Sequence, residues 1–341
     1  MRDWTVTGLL QAEMPKLQAA LSNSPAGRAE QWQVLESRLK ETSAGRQLLA
    51  DVISQGEEGA AWLAVSLCMR HLHLDNAHFT VLVRHRIGLP VIREPKDPPS
   101  ACDSCPGSLD ARGDHAFRCT HKSASLRSNR HTAVLTCFLR TFRERRHRPG
   151  AGERAVAPTR MPALSGIWAA KDATRPLDKN GIPSNICTYG DGILKCPAAA
   201  NGAEDTLTVI DVTVAHLDAG RVKGLAKRGT YAAGHHAWAE KHALYAKYWH
   251  TTALRRFEPL VLTTGGSWHP RTRLFVADYL RLTVGGVPKQ WNAAQHKLFA
   301  QYMTEATQSV GVALQRVVAR TLLHAIADHA RQALLAHDAD A

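Results

Sequence analysis

Four metal-binding side chains fall within eighteen positions of the sequence. Cys102 and Cys105 are separated by two residues, and His115 and Cys119 follow at one helical turn from each other. Three thiolates and one imidazole fill the tetrahedral shell that Zn²⁺ takes in structural sites and leave no open position for a substrate. The spacing therefore predicts a structural zinc site, with His121 as a substitute for His115 and free cysteines on a loop as the alternative.

A second candidate centre combines two aspartates on neighbouring predicted strands. Period-two patterning predicts strands at 186–194 and 207–214. Alternation turns Asp211 away from the apolar face of the second strand, and Asp191 lies twenty positions earlier, at the end of the first strand. Two carboxylates brought together by a hairpin can hold a hard divalent cation, which polarises a phosphodiester and activates water. The alternative is one turn aspartate and one ordinary polar strand residue.

A cation that acts on a phosphodiester usually has a lysine nearby. In the commonest nuclease pattern this lysine lies two residues after the second carboxylate, but that position is Thr213. A predicted helix at 232–249 is the other source, and on it Lys241 shares a face with Tyr245. Lys241 is favoured over Lys247, and two ordinary exposed lysines are the alternative. The candidate catalytic residues are Asp191, Asp211, Lys241, Lys247 and Tyr248.

Basic residues outnumber acidic ones, 43 to 30, and give a formal net charge of +13. This balance favours a polyanionic partner, because Lys and Arg neutralise phosphates. The densest basic stretch, 122–160, holds ten Lys or Arg and two acids. Its predicted helix, 126–142, places His131 in line with Val134 and Phe138, where a histidine is more often a buried structural group. The candidate nucleic-acid contacts are Arg127, Arg130, His131, Arg143, Arg145, Arg146 and Arg148, with a solvated charged face as the alternative.

The other segments predict a mixed helix and strand framework around these residues. Helices are expected at 1–50, 62–89, 292–303 and 305–335, and a third strand at 260–264. A proline-rich loop is expected at 90–107 and a basic linker at 144–162. The odd total of seven cysteines and the absence of an apolar N-terminal leader argue against a disulfide framework. No run of 18 apolar residues occurs, so neither a membrane span nor a membrane partner is expected.

Several short motifs occur in a characteristic order along residues 55–325. They are Ala-Ala-Trp-Leu at 60–63, Arg-His-Arg-Ile-Gly-Leu-Pro at 84–90, Gly-Asp-His-Ala-x-x-Cys at 113–119, Arg-His-Thr at 130–132, Asp-Val-Thr-Val at 211–214, Pro-Leu-Val-Leu-Thr-Thr-Gly-Gly at 259–266 and Ser-Val-Gly-Val-Ala-Leu-Gln-Arg at 309–316. In this order the chain resembles the restriction-like endonuclease region at the C-terminus of non-LTR retrotransposon polyproteins. The His-Cys core and the strand aspartate are the specific parts.

The resemblance implies an α/β fold with a PD-(D/E)xK nuclease core of αβββαβ order, preceded by a zinc knuckle and flanked by helices. The implied segments are a helical N-terminal region at 1–95, a zinc knuckle at 96–125, the nuclease core at 126–285 and a C-terminal helical region at 286–341. The implied activity is cleavage of DNA to leave a 3′-hydroxyl, with Mg²⁺ or Mn²⁺ at Asp191 and Asp211. Zn²⁺ is the implied structural metal, DNA or retroelement RNA the partner, and the nucleus the location.

The sequence also departs from that family pattern. Thr132 replaces an asparagine, Thr263 replaces a glutamate, and Tyr245 stands near the position expected for the lysine. No reverse-transcriptase motif is present, so a nuclease separated from its polyprotein is expected. The departures support a second hypothesis, a nucleic-acid-binding module that retains the nuclease fold but no longer cuts. A protein that only tethers partners through its C-terminal helix is a third.

Overall fold

The computed structural model describes about half of the chain, including the segments that carry both candidate centres. The described residues are 37, 59–65, 69–86, 89–92, 102, 105–107, 110–119, 123–144, 191–196, 206–216, 232–248, 255–285 and 288–339. The helix predicted at 1–50, apart from residue 37, and the linker predicted at 144–162, apart from residue 144, lie outside these residues.

Six α-helices and three strands form the described framework. They are α1 (Asn76–Arg86), α2 (His115–Arg118), α3 (Ser123–Glu144), β1 (Gly192–Cys196), β2 (Thr206–Ala215), α4 (Ala232–Tyr248), β3 (Arg255–Thr263), α5 (Pro270–Val284) and α6 (Ala293–Ala339). The helices predicted at 126–142 and 232–249 are confirmed, as are the strands predicted at 207–214 and 260–264. Short 3₁₀ turns at Ala61–Ala64, Arg70–Leu72 and Pro288–Gln290 complete the elements.

The three strands form one sheet in the order β1-β2-β3. β1 pairs antiparallel with β2, and β3 pairs parallel with β2. The central strand packs against α3 and against α4, so residues on both of its faces are buried, including Val209, Ile210 and Val212. Burial on both faces is expected for a strand that helices cover on each side. The mixed α/β framework predicted from the sequence is thus present.

Two elements differ from the sequence prediction because local signals were incomplete. The helix predicted at 62–89 is broken into two 3₁₀ turns and α1. Helix α5 was not predicted, although Pro270 occupies its first turn and the His269 side chain accepts a hydrogen bond from the Arg271 backbone N–H. Proline in the first turn and a side-chain cap are helix-start signals.

The C-terminal region folds as one helix rather than the two predicted helices. Helix α6 runs for 47 residues and packs on α3, α1 and α5. By length and composition its segment Ala293–Gln332 could cross a membrane, the one such segment among the described residues, and this is weak evidence for a span. Within this segment, the most apolar stretch of 18 residues is 61% buried inside the protein, which accounts for its apolar side chains.

One hydrophobic cluster joins all four segments predicted from the sequence. It includes Trp62 from the N-terminal region, Phe117 from the cysteine-rich segment, Phe138 from α3, Leu260 from β3 and Leu314 from α6. The described parts of these segments therefore share a core, and the two candidate centres are built on the same packed unit.

Candidate metal centres

The first centre is a group of three cysteines and one histidine that could hold a metal ion. Cys102, Cys105, His115 and Cys119 each offer one ligand atom, and these atoms all lie within 4.8 Å of one another. The distances from Cys119 Sγ are 3.9 Å to Cys102 Sγ and 3.8 Å to Cys105 Sγ, and Cys105 Sγ lies 3.4 Å from His115 Nε2. The sulfurs are too far apart for a disulfide. The predicted set is brought together, and His121 lies outside the described residues.

Backbone hydrogen bonds hold this cysteine–histidine group in shape. The Cys102 N–H donates to the Gly107 carbonyl, and the Gly107 N–H donates to Cys105 Sγ at 3.4 Å. On the other side, Asp110 accepts from the backbone N–H groups of Asp114 and His115. A Cβ at position 107 would lie 2.5 Å from His115 Cε1, so this close approach requires glycine.

Asp114, the residue before His115, connects the cysteine–histidine group to the rest of the fold. Asp114 Oδ1 accepts from His85 Nε2 at 2.9 Å, and Asp114 Oδ2 lies 3.4 Å from Arg112 Nε. Burial raises the pKa of Asp114, but the His85 hydrogen bond and the Arg112 charge outweigh it and hold this pKa well below its usual range. The centroids of the Phe117 and His216 rings lie 5.0 Å apart, and His216 is the residue that follows β2.

The second centre contains the two predicted aspartates and one histidine. His131, Asp191 and Asp211 each offer a ligand atom, and these atoms lie within 4.8 Å of one another. The antiparallel register explains the approach, because Gly192 pairs with Ile210 and the next pair outward is Asp191 with Asp211. Asp191 precedes β1, whereas the sequence prediction placed it at the end of a strand starting at 186, of which 186–190 lie outside the described residues.

Hydrogen bonds fix the Asp191 carboxylate at this point. Its Oδ2 accepts from the Val212 backbone N–H at 2.5 Å and lies 2.7 Å from His131 Nε2. The Asp191 N–H in turn donates to the Ile210 carbonyl at 2.8 Å. The hydrogen bond with Asp191 raises the pKa of His131, although partial burial opposes this rise.

The Asp211 carboxyl is almost fully buried, with 4% of the residue exposed. Burial, followed by the nearby Asp191 charge, raises the pKa of Asp211 to about 6. Lys241 Nζ on α4 lies 2.7 Å from Asp211 Oδ2, close enough for an ion pair. The charge of Lys241 and its hydrogen bond lower the pKa of Asp211 but do not cancel the effects of burial and of the Asp191 charge.

Of the two candidate lysines, Lys241 is the one whose side chain is described. Lys241 reaches the aspartates because Asp211 lies on the sheet face that α4 covers. Lys247 and Tyr248 belong to α4, but their side chains are outside the described ones, as is that of Tyr245. The favoured lysine is therefore the one placed in the centre.

The predicted nucleic-acid contacts have a different outcome. Arg130 is 3% exposed, and its guanidinium lies over the Phe117 ring at 5.1 Å, so the structure places this side chain in the protein interior. His131 instead faces Asp191. The remaining candidates are side chains outside the described ones: Arg127 and Arg143 on α3, and Arg145, Arg146 and Arg148 beyond it.

A group of packed tryptophan and histidine rings on α4 and just before α5 was not predicted from the sequence. Trp238 stacks between His242 and His269, at 4.8 and 5.5 Å, and His269 Nε2 lies 2.8 Å from His235 Nδ1. Burial, with the His235 and Arg271 charges, lowers the pKa of His269 to about 4, which keeps it neutral. The only sequence signal was the density of histidines at 235–242. These contacts attach α4 to the residues that follow β3 and so help to position Lys241.

The raised pKa of Asp211 predicts a specific pH dependence of stability. The unfolded chain loses the Asp211 proton near pH 3.8 and the folded protein loses it near pH 6. The contribution of this carboxyl to the free energy of unfolding is therefore highest below pH 3.8 and is lost as the pH rises through 6. A shift of this size corresponds to roughly 3 kcal/mol. In buffer without added divalent cation, Asp211→Asn should gain up to that amount over the unsubstituted protein between pH 4 and pH 7. Urea unfolding at both pH values measures it, and equal pH slopes would contradict it.

The chain was also compared with known proteins. No protein-family model, no curated protein and no solved structure matches it at a significant level.

Proposed function

We propose that this protein is a metal-dependent DNA endonuclease of the restriction-like type, similar to the one at the end of non-LTR retrotransposon polyproteins. The observation that carries the proposal is the meeting of Asp191, Asp211 and His131 within 4.8 Å, with Lys241 Nζ 2.7 Å from Asp211. Two carboxylates, one just before β1 and one on β2, and a lysine from the next helix supply the chemistry that hydrolysis of a phosphodiester needs.

Each residue has a defined part in this hydrolysis. Asp191 and Asp211 would hold Mg²⁺ or Mn²⁺, which supplies positive charge at the phosphate and lowers the pKa of a bound water. Lys241 would orient that water or stabilise the charge that develops on the phosphate oxygens. Water adds to phosphorus, the bond to the 3′-oxygen breaks, and a proton reaches that oxygen, leaving a 3′-hydroxyl and a 5′-phosphate.

The order of the elements supports the same proposal. Helix α3, the antiparallel pair β1 and β2, helix α4 and the parallel strand β3 follow one another as in an αβββαβ nuclease core. That core has one strand more than the described residues contain. Helix α3 carries His131 on the same face as Val134, Phe138 and Phe142, which are buried in the core, so the packing of this face holds the imidazole near the two aspartates.

We further propose that the cysteine–histidine group is a structural Zn²⁺ site. In a tetrahedral site with Zn–S bonds of about 2.3 Å and a Zn–N bond of about 2.0 Å, sulfurs lie about 3.8 Å apart and sulfur and nitrogen about 3.5 Å. The distances of 3.8, 3.9 and 3.4 Å agree with these values. Four ligands leave no coordination position for a substrate, so its role is in folding.

Nicking of supercoiled plasmid tests the nuclease proposal. The purified chain, with Mg²⁺ or Mn²⁺, should convert supercoiled DNA to nicked or linear DNA with 3′-hydroxyl ends. The ends are identified by extension with a DNA polymerase, which requires a 3′-hydroxyl. Intact plasmid under both ions, from protein shown to be folded and to bind DNA, would reject the activity.

A catalytically inactive nucleic-acid-binding module is the second candidate. Thr263, which stands where the resembling family has a glutamate, is 3% exposed, and its hydroxyl accepts from the Ser267 backbone N–H. It thus has a structural role at the end of β3 and supplies no carboxylate. Binding of DNA without cleavage under either ion would select this candidate.

Both candidates predict strong salt-dependent binding through the basic stretch that follows α3. Reversing the charge of Arg145, Arg146 and Arg148 to glutamate should weaken binding to any duplex and flatten the dependence of affinity on salt, because fewer counterions are released. Each lost phosphate contact should reduce the logarithmic salt slope by about 0.9. Fluorescence anisotropy on two unrelated duplexes measures both quantities. A change confined to one duplex would show that these residues contact bases.

A further inference from the structure

The His131 side chain offers one of the ligand atoms of the second candidate metal centre. Its Nε2 lies 2.7 Å from Asp191 Oδ2, and it offers one of the three ligand atoms that converge within 4.8 Å. The histidine is partly exposed, with 34% of its side chain accessible, so an ion can reach it from solvent. An imidazole nitrogen is thus presented to the same point as two carboxylates.

Packing of α3 holds this imidazole in place. On the helix, Val134 and Phe138 are fully buried in the core. Arg130, the residue before the histidine, is buried and lies over the Phe117 ring. These contacts restrict the rotation of α3 about its axis, so the direction of His131 is set before any ion binds. Ligands held in advance in this way raise metal affinity.

The negative charges of the Asp191 and Asp211 carboxylates favour the binding of a cation at the second centre. Asp191 and Asp211 offer ligand oxygens within 4.8 Å of each other, and Asp211 Oδ2 is buried. Lys241 supplies one positive charge at 2.7 Å from that oxygen. Two carboxylates whose oxygens lie within 4.8 Å of each other repel one another, and the burial of Asp211 adds to this cost unless further positive charge compensates it.

The donor set then selects among cations. Mg²⁺ prefers oxygen ligands alone, whereas imidazole suits transition metals and carboxylate suits Mn²⁺ as well as Mg²⁺. We propose that His131 is the third protein ligand of the cation held by Asp191 and Asp211, and that its nitrogen makes Mn²⁺ the preferred ion. This inference rests on the proposed nuclease centre and specifies its cofactor.

The competing role for His131 is to orient Asp191 through their hydrogen bond without touching the ion. Three substitutions separate the two roles. His131→Asn can still donate a hydrogen bond to Asp191 but is a poor ligand, His131→Asp supplies an oxygen ligand in place of nitrogen, and His131→Ala supplies neither. His324→Asp is the matched control, because His324 on α6 also faces an aspartate, Asp328, but neither belongs to the three-residue metal group.

The experiment measures Mn²⁺ binding to the full chain, at no more than one equivalent, by calorimetry and by electron spin-echo spectroscopy. Coupling of the bound Mn²⁺ to a ¹⁴N nucleus should be present in the unsubstituted protein and in His324→Asp. It should be absent in His131→Asp, which still binds the ion. His131→Asn and His131→Ala should each lower Mn²⁺ affinity by about tenfold or more. The ratio of Mn²⁺ to Mg²⁺ affinity should fall in His131→Asp.

Each outcome decides one question. Persistent ¹⁴N coupling in His131→Asp, or unchanged Mn²⁺ affinity in His131→Asn and His131→Ala, would overturn the ligand assignment. Plasmid cleavage by the unsubstituted chain, together with that result, would leave the nuclease proposal standing. Loss of the coupling in His131→Asp in a protein that cuts no DNA would support the ligand assignment and reject the nuclease.

Discussion

Asp211→Asn should abolish cleavage of DNA while leaving the protein folded and able to bind DNA. The substitution keeps the size of the side chain but removes the charge that would hold a cation at the centre. Because a bound metal ion supplies several kcal/mol of transition-state stabilisation, the loss should be at least about 10³-fold in rate. The buried carboxyl is already costly to ionise, with its pKa raised to about 6, so the variant should be no less stable at pH 7.

Binding should survive for an electrostatic reason. The surface expected to contact phosphates is basic, and removing a carboxylate from it reduces repulsion with DNA. The plasmid assay and fluorescence anisotropy on the same preparations measure cleavage and binding separately. Asp191→Asn should behave in the same way, since its carboxylate lies in the same three-residue group. Full activity in either variant would reject the assignment of the two aspartates.

The two lysines provide a sharper comparison. Lys241→Ala should lose about 10²–10³-fold in rate, the magnitude found when a group that stabilises transition-state charge is removed. Lys247→Ala should lose little, because the lysine placed at Asp211 is Lys241. Lys241 also offsets charge at Asp211, so Lys241→Ala must be compared at saturating cation. The reverse order of effects would assign the catalytic role to Lys247.

The sequence predicted the parts of the centres that depend on local spacing. Cysteines two residues apart, followed by His115 and Cys119, predicted the first group. Alternation along β2 predicted that Asp211 points away from the side of Ile210 and Val212, and helical spacing favoured Lys241. The structure brings the four metal-binding side chains together and places Lys241 beside Asp211, because helix and strand periodicities fix which side chains share a face.

Contacts between distant segments could not be predicted in this way. His131 and Asp191 are sixty residues apart, and their meeting depends on the packing of α3 against β2. Arg130 was proposed as a nucleic-acid contact because it lies in the densest basic stretch, but the Phe117 ring provides a buried position for it. The ring stack of Trp238 with His242 and His269 depends in part on the turn after β3. In each case tertiary packing determined the role of the residue.

If the cysteine–histidine group holds the proposed zinc, loss of that ion should destabilise the whole protein and not only the loop that holds it. Phe117 lies two residues after His115 and belongs to the central hydrophobic cluster, so displacement of the ligand helix α2 disturbs that cluster. Cys105→Ser should lower stability by a few kcal/mol, which corresponds to a fall in Tm of roughly 5–10 °C. About one zinc per chain should be found by elemental analysis of protein purified without chelator.

Gly107→Ala separates the effect of the metal from that of the thiol, since it leaves all four ligands in the sequence. The added Cβ would lie 2.5 Å from His115 Cε1 and 3.3 Å from Cys105 Sγ, so the imidazole or the loop must move. Gly234→Ala is the matched control, because its nearest neighbour is His269 Cδ2 at 3.9 Å, an ordinary contact. Competition with a chromophoric chelator should show zinc affinity reduced by about tenfold or more in Gly107→Ala and unchanged in Gly234→Ala. If both variants kept the zinc affinity and Tm of the unsubstituted protein, the close approach of Gly107 and His115 would have no part in binding metal. A chain that contained no zinc at all would refute the site, and the cysteines would then be free thiols in a packed loop.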